Sequence, residues 1–428
     1  MIAALVLLVQ VSASGPADSV PRVTLDQAIE RATRLDPNYV RALGQVDNAE
    51  WGRRAALLTF ILPSISASID ATKYSTEFFN IGTGQPQSNS VVSSIQARYE
   101  LFSGRKFADL GRTAAEVEGA EASELQQRFQ TALNTESDYY TVLRNQELAR
   151  VARERIRRAE EGLAIARARV VAGAAVRSDS LQLVLELTQA QLEQLVRDAA
   201  LRVAQLGLGR RIGDTRPVDA EPLDTLPPAD LPLALPDAVE LALRQGPQYR
   251  LARASERATS AALRAERGAY LPQVVVTAGH TRFDVKFFPE ARSVSYVALG
   301  VTLPIWDDGR REIAVTQARV NRDVSRAIRE DLERAAYRDV TTGYEAYRTA
   351  QATTTLSGTA VLVAQENYRV QESRYRAGAT TILDVLVAQL RLTEAEADLV
   401  QSRYAARLAL AGIEAILGHR LFTNRDVP

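Results

Sequence analysis

Cysteine is absent from this 428-residue chain, which has only two histidines, His280 and His419, and a single methionine. Without cysteine there is no disulfide, thiolate metal site, cysteine nucleophile or acylated lipoprotein N-terminus. Two histidines leave almost no inventory for a histidine metal centre or a serine–histidine–aspartate triad. One methionine does not line a soft-metal path. Lysine is nearly missing as well: Lys73, Lys106 and Lys286 are the only lysines among 52 basic residues. Those 52 are balanced by 52 acidic residues, so the basic excess of a nucleic-acid binder is absent. No later stretch approaches the ~20 apolar residues of a membrane helix. Entry into a membrane, if it occurs, must be by β-strands. No nucleotide-binding motif and no clustered catalytic set is present, so neither an enzyme nor a bound cofactor or metal is expected.

What the chain does contain begins with a short apolar run, Ile2 to Val11, closed by the small-x-small pattern Val11-Ser12-Ala13. It predicts a secretory signal peptide over residues 1–13.

Beyond it the sequence repeats itself. Ala28, Glu30, Pro37 and Tyr39 return as Ala238, Glu240, Pro247 and Tyr249. Tyr139, Gly173, Asp179 and Gly213 return as Tyr344, Gly378, Asp384 and Gly418, all at one offset (378 − 173 = 205). A duplicated unit is the natural reading. The first copy spans 24–213 and the second 236–418. Residues 214–235 form a Pro-rich connector with little regular structure, and 419–428 a C-terminal tail.

Each copy opens with a short helix and a longer one, ended at Pro63 and Pro272 because proline disfavours helix in the residue before it. Strands follow. Over 64–74, Ile65, Ala67, Ile69 and Ala71 alternate with Ser66, Ser68, Asp70 and Thr72. Over 91–101, Ile95, Ala97, Tyr99 and Leu101 alternate with polar residues. This period of two gives each strand one apolar face. Strands at 273–283 and 294–303 alternate less cleanly, and their facing stays open. Polar loops are expected at Glu77 to Ser90 and Asp284 to Ser293.

Proline-free helices then run over 105–171 and 310–377, each about 100 Å long at 1.5 Å per residue. Such lengths belong to coiled-coil assemblies. Each is followed by a second helix, 178–208 and 383–417. Leu181, Thr188 and Leu195, with Leu185, Leu192, Ala199 and Leu206, predict a heptad seam in the first. Leu386, Thr393 and Val400, with Leu390, Ala397, Tyr404 and Ala411, predict its counterpart.

These features resemble the TolC family of outer-membrane efflux proteins. The resemblance is carried by Leu303-Pro-Ile-Trp-Asp-Asp-Gly309, by Leu101-Phe-Ser-Gly104, and by the tip motif Tyr375-Arg-Ala-Gly-Ala-Thr-Thr-Ile-Leu-Asp384. The tip's first-copy counterpart runs from Val170 through Gly173 to Asp179. The resemblance covers Thr24 to Gly418. It implies an α+β membrane protein: a homotrimer in which four strands per chain close a twelve-stranded β-barrel in outer-membrane lipid. A long α-helical coiled-coil barrel would continue it into the periplasm. It also implies a passive exit duct of a tripartite efflux or type I secretion system. Its partners would be a periplasmic adaptor (membrane fusion) protein and an inner-membrane pump of RND, ABC or MFS type, with no nucleic acid.

The same resemblance suggests residue roles. Asp179 and Asp384 would line a periplasmic gate with Tyr375, although first-turn aspartates also simply favour a helix start. Gly173 and Gly378 would be adaptor-docking tips, although helix-ending glycines suffice for the turns. Trp306 and Phe102 would form an interfacial aromatic girdle, or pack at strand–helix junctions. The chain departs from the best-known family pattern at Thr380, where that pattern has arginine. A non-pore periplasmic coiled-coil scaffold is the alternative, against which the alternating strands argue.

Overall fold

The computed structural model describes residues 20–80, 84–223, 231–284 and 292–422. The expected signal peptide lies outside the described residues, as do the middle of the connector and most of the C-terminal tail.

A short strand β1 (Arg22–Val23) leads into α1 (Leu25–Leu35). Thr24 caps α1 in a reciprocal box with Gln27, satisfying two otherwise orphan backbone donors. Asp36 then caps α2 (Pro37–Ile61), with Pro37 in the first turn, where its missing N–H costs nothing. At Leu62 the backbone turns extended, as the following proline requires. Next come β2 (Ser64–Asn80), β3 (Gln85–Phe102), the 68-residue α3 (Gly104–Val171) and α4 (Arg177–Arg211). A second short strand, β4 (Asp219–Ala220), precedes α5 (Leu235–Gln245), α6 (Pro247–Gly268), β5 (Gln273–Asp284), β6 (Arg292–Thr302), α7 (Arg310–Arg376) and α8 (Ile382–Leu417). No described helix is long and apolar enough to cross a membrane.

The four long strands form one sheet in the order β2-β3-β5-β6, antiparallel throughout. Its register decides the facing that the sequence left open. Ile65 pairs with Ala97, Ala97 with Ala278, and Ala278 with Val297. Directly paired residues share a face, so Val276, Val297, Leu299 and Val301 join Ile65, Ile69 and Ile95. The opposite face carries Ser66, Ser68, Gln96, Thr277 and Tyr296. His280 is a strand side chain whose Nδ1 meets Ser295 Oγ at 2.9 Å.

One expectation needs correction, and two gain detail. The loop expected from Glu77 to Ser90 is mostly strand: after a register shift between Lys73 and Phe78, pairing resumes with Phe78 opposite Gln87 and Phe79 opposite Pro86. Polar composition hid a hairpin whose ladder does not depend on apolar side chains.

The connector also holds structure. Asp219–Ala220 pairs in parallel with Arg22–Val23. Val218 and Ala220 lie buried in a cluster with Tyr139, Val142 and Leu208, and Tyr139 Oη donates to Glu221 O at 2.7 Å. Burial pushes the Tyr139 hydroxyl up to about 12.

The heptad seam of α4 faces outward. Leu181, Leu185, Leu192 and Leu195 are exposed, while Leu183, Ala190 and Leu208 are the buried apolar side chains of that helix. In α8 the expected seam residues Thr393, Val400 and Ala411 are buried, whereas Leu390 is exposed. The difference follows from neighbours: α8 packs against both α7 and α3, whereas α4 packs along α3 and meets α7 and α8 through Asp179, Leu183 and Glu186 near its start. Likewise α6 sits between α3 and α7, whereas α2 lies on α3 with Val40, Trp51, Leu58 and Ile61 exposed.

Candidate functional site at the helix tips

The two long hairpins, α3–α4 and α7–α8, turn at Gly173 and Gly378. Both glycines sit at positive φ, +73° and +77°, a region that costs any residue with a Cβ. The turns are built alike. Gly173 N donates to Val170 O at 3.0 Å and Ala174 N to Arg169 O at 2.8 Å; Gly378 N donates to Tyr375 O at 3.0 Å and Ala379 N to Arg374 O at 2.8 Å. This paired pattern satisfies the last helix carbonyls.

The candidate gate residues separate into two settings. Tyr375, 4% exposed, donates from Oη to Asp179 Oδ2 at 3.1 Å, joining the second hairpin to the first. Burial, then the Asp179 carboxylate, pushes the Tyr375 hydroxyl above its ordinary value. It therefore stays a donor at physiological pH. Around this pair Leu163, Ala166, Leu183, Ile382 and Val385 form a buried cluster.

Asp384 instead turns back on its own helix start. It accepts from Thr380 Oγ1 and Thr381 Oγ1, both at 2.7 Å, and from Thr381 N at 3.1 Å. Asp384 N in turn donates to Thr381 Oγ1 at 3.4 Å, completing a capping box. The Thr380 and Thr381 hydroxyls hold this carboxyl below the usual carboxylate range. The structure thus joins Asp179 to Tyr375, and gives Asp384 the helix-start bonding that its spacing allows.

Sequence reasoning passed over the arginines here. Arg169 Nη2 donates to Ala174 O at 3.0 Å, and its guanidinium lies 4.5 Å from the Tyr375 ring centroid. Arg374 Nη2 donates to Ala379 O at 3.3 Å. Further along, Arg155 grips Glu186 through two bonds of 2.9 and 3.0 Å, and Gln389 Nε2 reaches Glu186 at 3.2 Å. Arg158, largely buried, pairs with Glu396 at 2.9 Å. The recurrence of Arg169 as Arg374, four residues before each tip glycine, was the available signal.

At the other end of the helices, Phe102 closes β3 and its ring lies 6.0 Å from Phe107. Trp306 lies between β6 and α7 and is 75% exposed. Lys106 sits over the Tyr99 ring at 4.4 Å and the Phe60 ring at 4.8 Å. At the second junction Arg311 lies over the Tyr270 ring at 4.6 Å and binds Pro304 O at 2.8 Å.

This architecture is that of outer-membrane channel proteins. The outer membrane protein VceC of Vibrio cholerae matches with a TM-score of 0.81 over 93% of this chain and 97% of that one, at 18% identity. CusC, described as forming a transmembrane channel, matches with a TM-score of 0.79 over 92% of each chain, at 17% identity. The chain belongs to the outer membrane efflux protein family, whose model matches residues 23–214 and again 238–419. This is a family of transport channels rather than enzymes. Membership locates the chain in the bacterial outer membrane, with its long helices extending into the periplasm. Among curated relatives, the pyoverdine export outer membrane protein OpmQ of Pseudomonas aeruginosa is 26% identical over 92% of this chain and 85% of its own length. The probable efflux pump outer membrane protein TtgC of Pseudomonas putida is 25% identical over 65% of this chain. That match spans 58% of the TtgC length.

Proposed function

We propose that the chain is one third of a passive exit duct. Three copies would close a twelve-stranded barrel, continued by a helical tunnel whose tips form the periplasmic gate. The observation that carries this reading is the pair of unfinished flanks. The sheet ends in β2 on one side and β6 on the other, and unsatisfied strand edges in lipid cost several kcal/mol per group. An even number of antiparallel strands lets β6 of one copy pair with β2 of the next and keep the pattern. The apolar face then meets lipid and the polar face lines the lumen. Trp306 and Phe102 fit the membrane boundary, where aromatic side chains collect.

The helices are unfinished in the same sense. The outward faces of α2 and α4 lack the neighbour that α6 and α8 have in α7. The outer side of α7 exposes Val320, Val324, Ile328, Leu356 and Val363. A ring of head-to-tail copies gives each open flank its partner. The sequence duplication supports a particular register for that contact. Arg158 lies 3.5 Å from Thr393 within one chain. Shifting both by the repeat offset (363 − 158 = 393 − 188 = 205) pairs Val363 of one copy with Thr188 of the next.

In this reading Gly173 and Gly378 present the tips to a periplasmic adaptor, and energy comes from an inner-membrane pump. The roles of OpmQ and TtgC favour small-molecule cargo over secreted protein. The chain has no cysteine, so a Thr188→Cys, Val363→Cys double variant tests the ring cleanly. Oxidation should yield covalent trimers in detergent, and neither single variant should. Monomers alone would refute the ring and return the chain to a pore-free scaffold.

A further inference from the structure

We infer that Arg169 is the clamp that fastens the two hairpins of one chain together at the tip, and so a positioning residue of the gate. The inference rests on the gate reading above. Arg169 belongs to the last turn of α3, where a cation also suits the helix dipole. Three contacts define its place. Nη2 binds Ala174 O across its own turn at 3.0 Å. The guanidinium lies over the Tyr375 ring at 4.5 Å. The same Nη2 lies 3.4 Å from the point a Cβ would occupy at Gly378, so it reaches the second turn as well. Nη1 is buried without a hydrogen-bond partner, which places the guanidinium between the hairpins rather than out in solvent.

Tyr375 is thereby held twice by the first hairpin: Asp179 holds its hydroxyl and Arg169 its face. A ring fixed at edge and face cannot leave unless the hairpins part. Attraction of a guanidinium to a ring face is strongest where water is excluded, and Tyr375 is buried. The chain supplies its own control. Arg374 makes the matching turn bond to Ala379 O at 3.3 Å. The residue matching Tyr375 is Val170 (375 − 170 = 205), so the first turn offers no ring. Both arginines tie a turn, but only Arg169 also has a ring to hold.

The test uses the full chain, purified in detergent and reconstituted in planar bilayers. Arg169→Met should raise the ratio of open to closed channels about tenfold, within the range of a partly desolvated cation–π contact. Arg374→Met should leave that ratio near wild type. Because Arg169 acts through the ring, Arg169→Met added to Tyr375→Ala should open the channel no further than Tyr375→Ala alone. Should Arg169→Met fail to insert, Arg169→Lys, which keeps the charge and loses the fork, should give intermediate opening. An unchanged ratio in Arg169→Met, equal opening by Arg374→Met, or additive effects with Tyr375→Ala would each overturn the clamp. A wild-type protein that forms no pores defeats the channel reading and takes the clamp with it. Pores indifferent to Arg169 defeat the clamp alone.

Discussion

Arg420, just past the last helix, pairs with Glu136 in the middle of α3, 284 residues earlier in the chain. The same guanidinium binds Glu414 at 2.6 Å, and Leu421 N donates to that carboxylate at 2.9 Å. Glu136 and Glu414 are 2% and 4% exposed, so Arg420 is the cation that makes their burial tolerable. Desolvation raises the Glu136 carboxyl above its ordinary value. Arg420→Met should therefore destabilise the fold by about 3–5 kcal/mol at neutral pH, the cost of stranding buried charge. Arg420 opposes that rise, so without it the Glu136 carboxyl is pushed up further, and the variant's native state takes up the proton earlier and gains more on acidification than the wild type does. Thermal unfolding from pH 7 down to pH 5 should show the variant's deficit shrinking. A deficit that grows on acidification would contradict this assignment.

Asp384 behaves in the opposite sense. Its carboxyl is held low by Thr380 and Thr381, so its charge persists as pH falls past the ordinary aspartate value of 3.8. If Asp384 rings the mouth, the cation preference that it carries should survive from pH 7 to about pH 4 and fade only below. The Asp179→Asn, Asp384→Asn double variant should lose much of that preference at every pH, with barrel insertion unchanged. Reversal potentials in a salt gradient report both. Full selectivity in the double variant would return the aspartates to helix-start duty.

Within the sheet, Tyr296 lies across Gly279. A Cβ there would stand 2.7 Å from the ring, and the Tyr296 hydroxyl accepts from Gln96 Nε2 at 3.2 Å. Gly279→Leu should reduce heat-resistant assembled protein severely, and Tyr296→Ala in the same chain should restore part of it. No rescue would mean that the glycine serves the backbone rather than the ring.

Gly173→Val and Gly378→Val place a β-branched residue at positive φ, costing on the order of 1–2 kcal/mol at each turn. Adaptor capture should fall while barrel insertion continues. Undiminished capture and export would remove the tips from the docking surface.

What the sequence made legible was whatever single residues or short periods encode. Pro63, Pro272 and the tip glycines mark helix ends, and alternation exposed the faces of β2 and β3. The run Val274-Val275-Val276 has no alternation, so the facing of β5 came only from its neighbours' register. A two-residue strand such as β4 is too short to show a period. The heptads of α4 revealed an apolar stripe but not what covers it, because the covering surface lies outside the chain's own contacts. The Tyr375–Asp179 bond spans 196 residues, a separation no local pattern reports.

Whether the protein is a passive duct is read from single-channel current of the purified wild-type protein in a planar bilayer, with no nucleotide and no partner protein present. A passive duct should give discrete, long-lived conductance steps, small at rest because the tips are held, and larger when Tyr375 is replaced by alanine. Absence of steps at any protein concentration, from preparations that are folded and inserted, would contradict it.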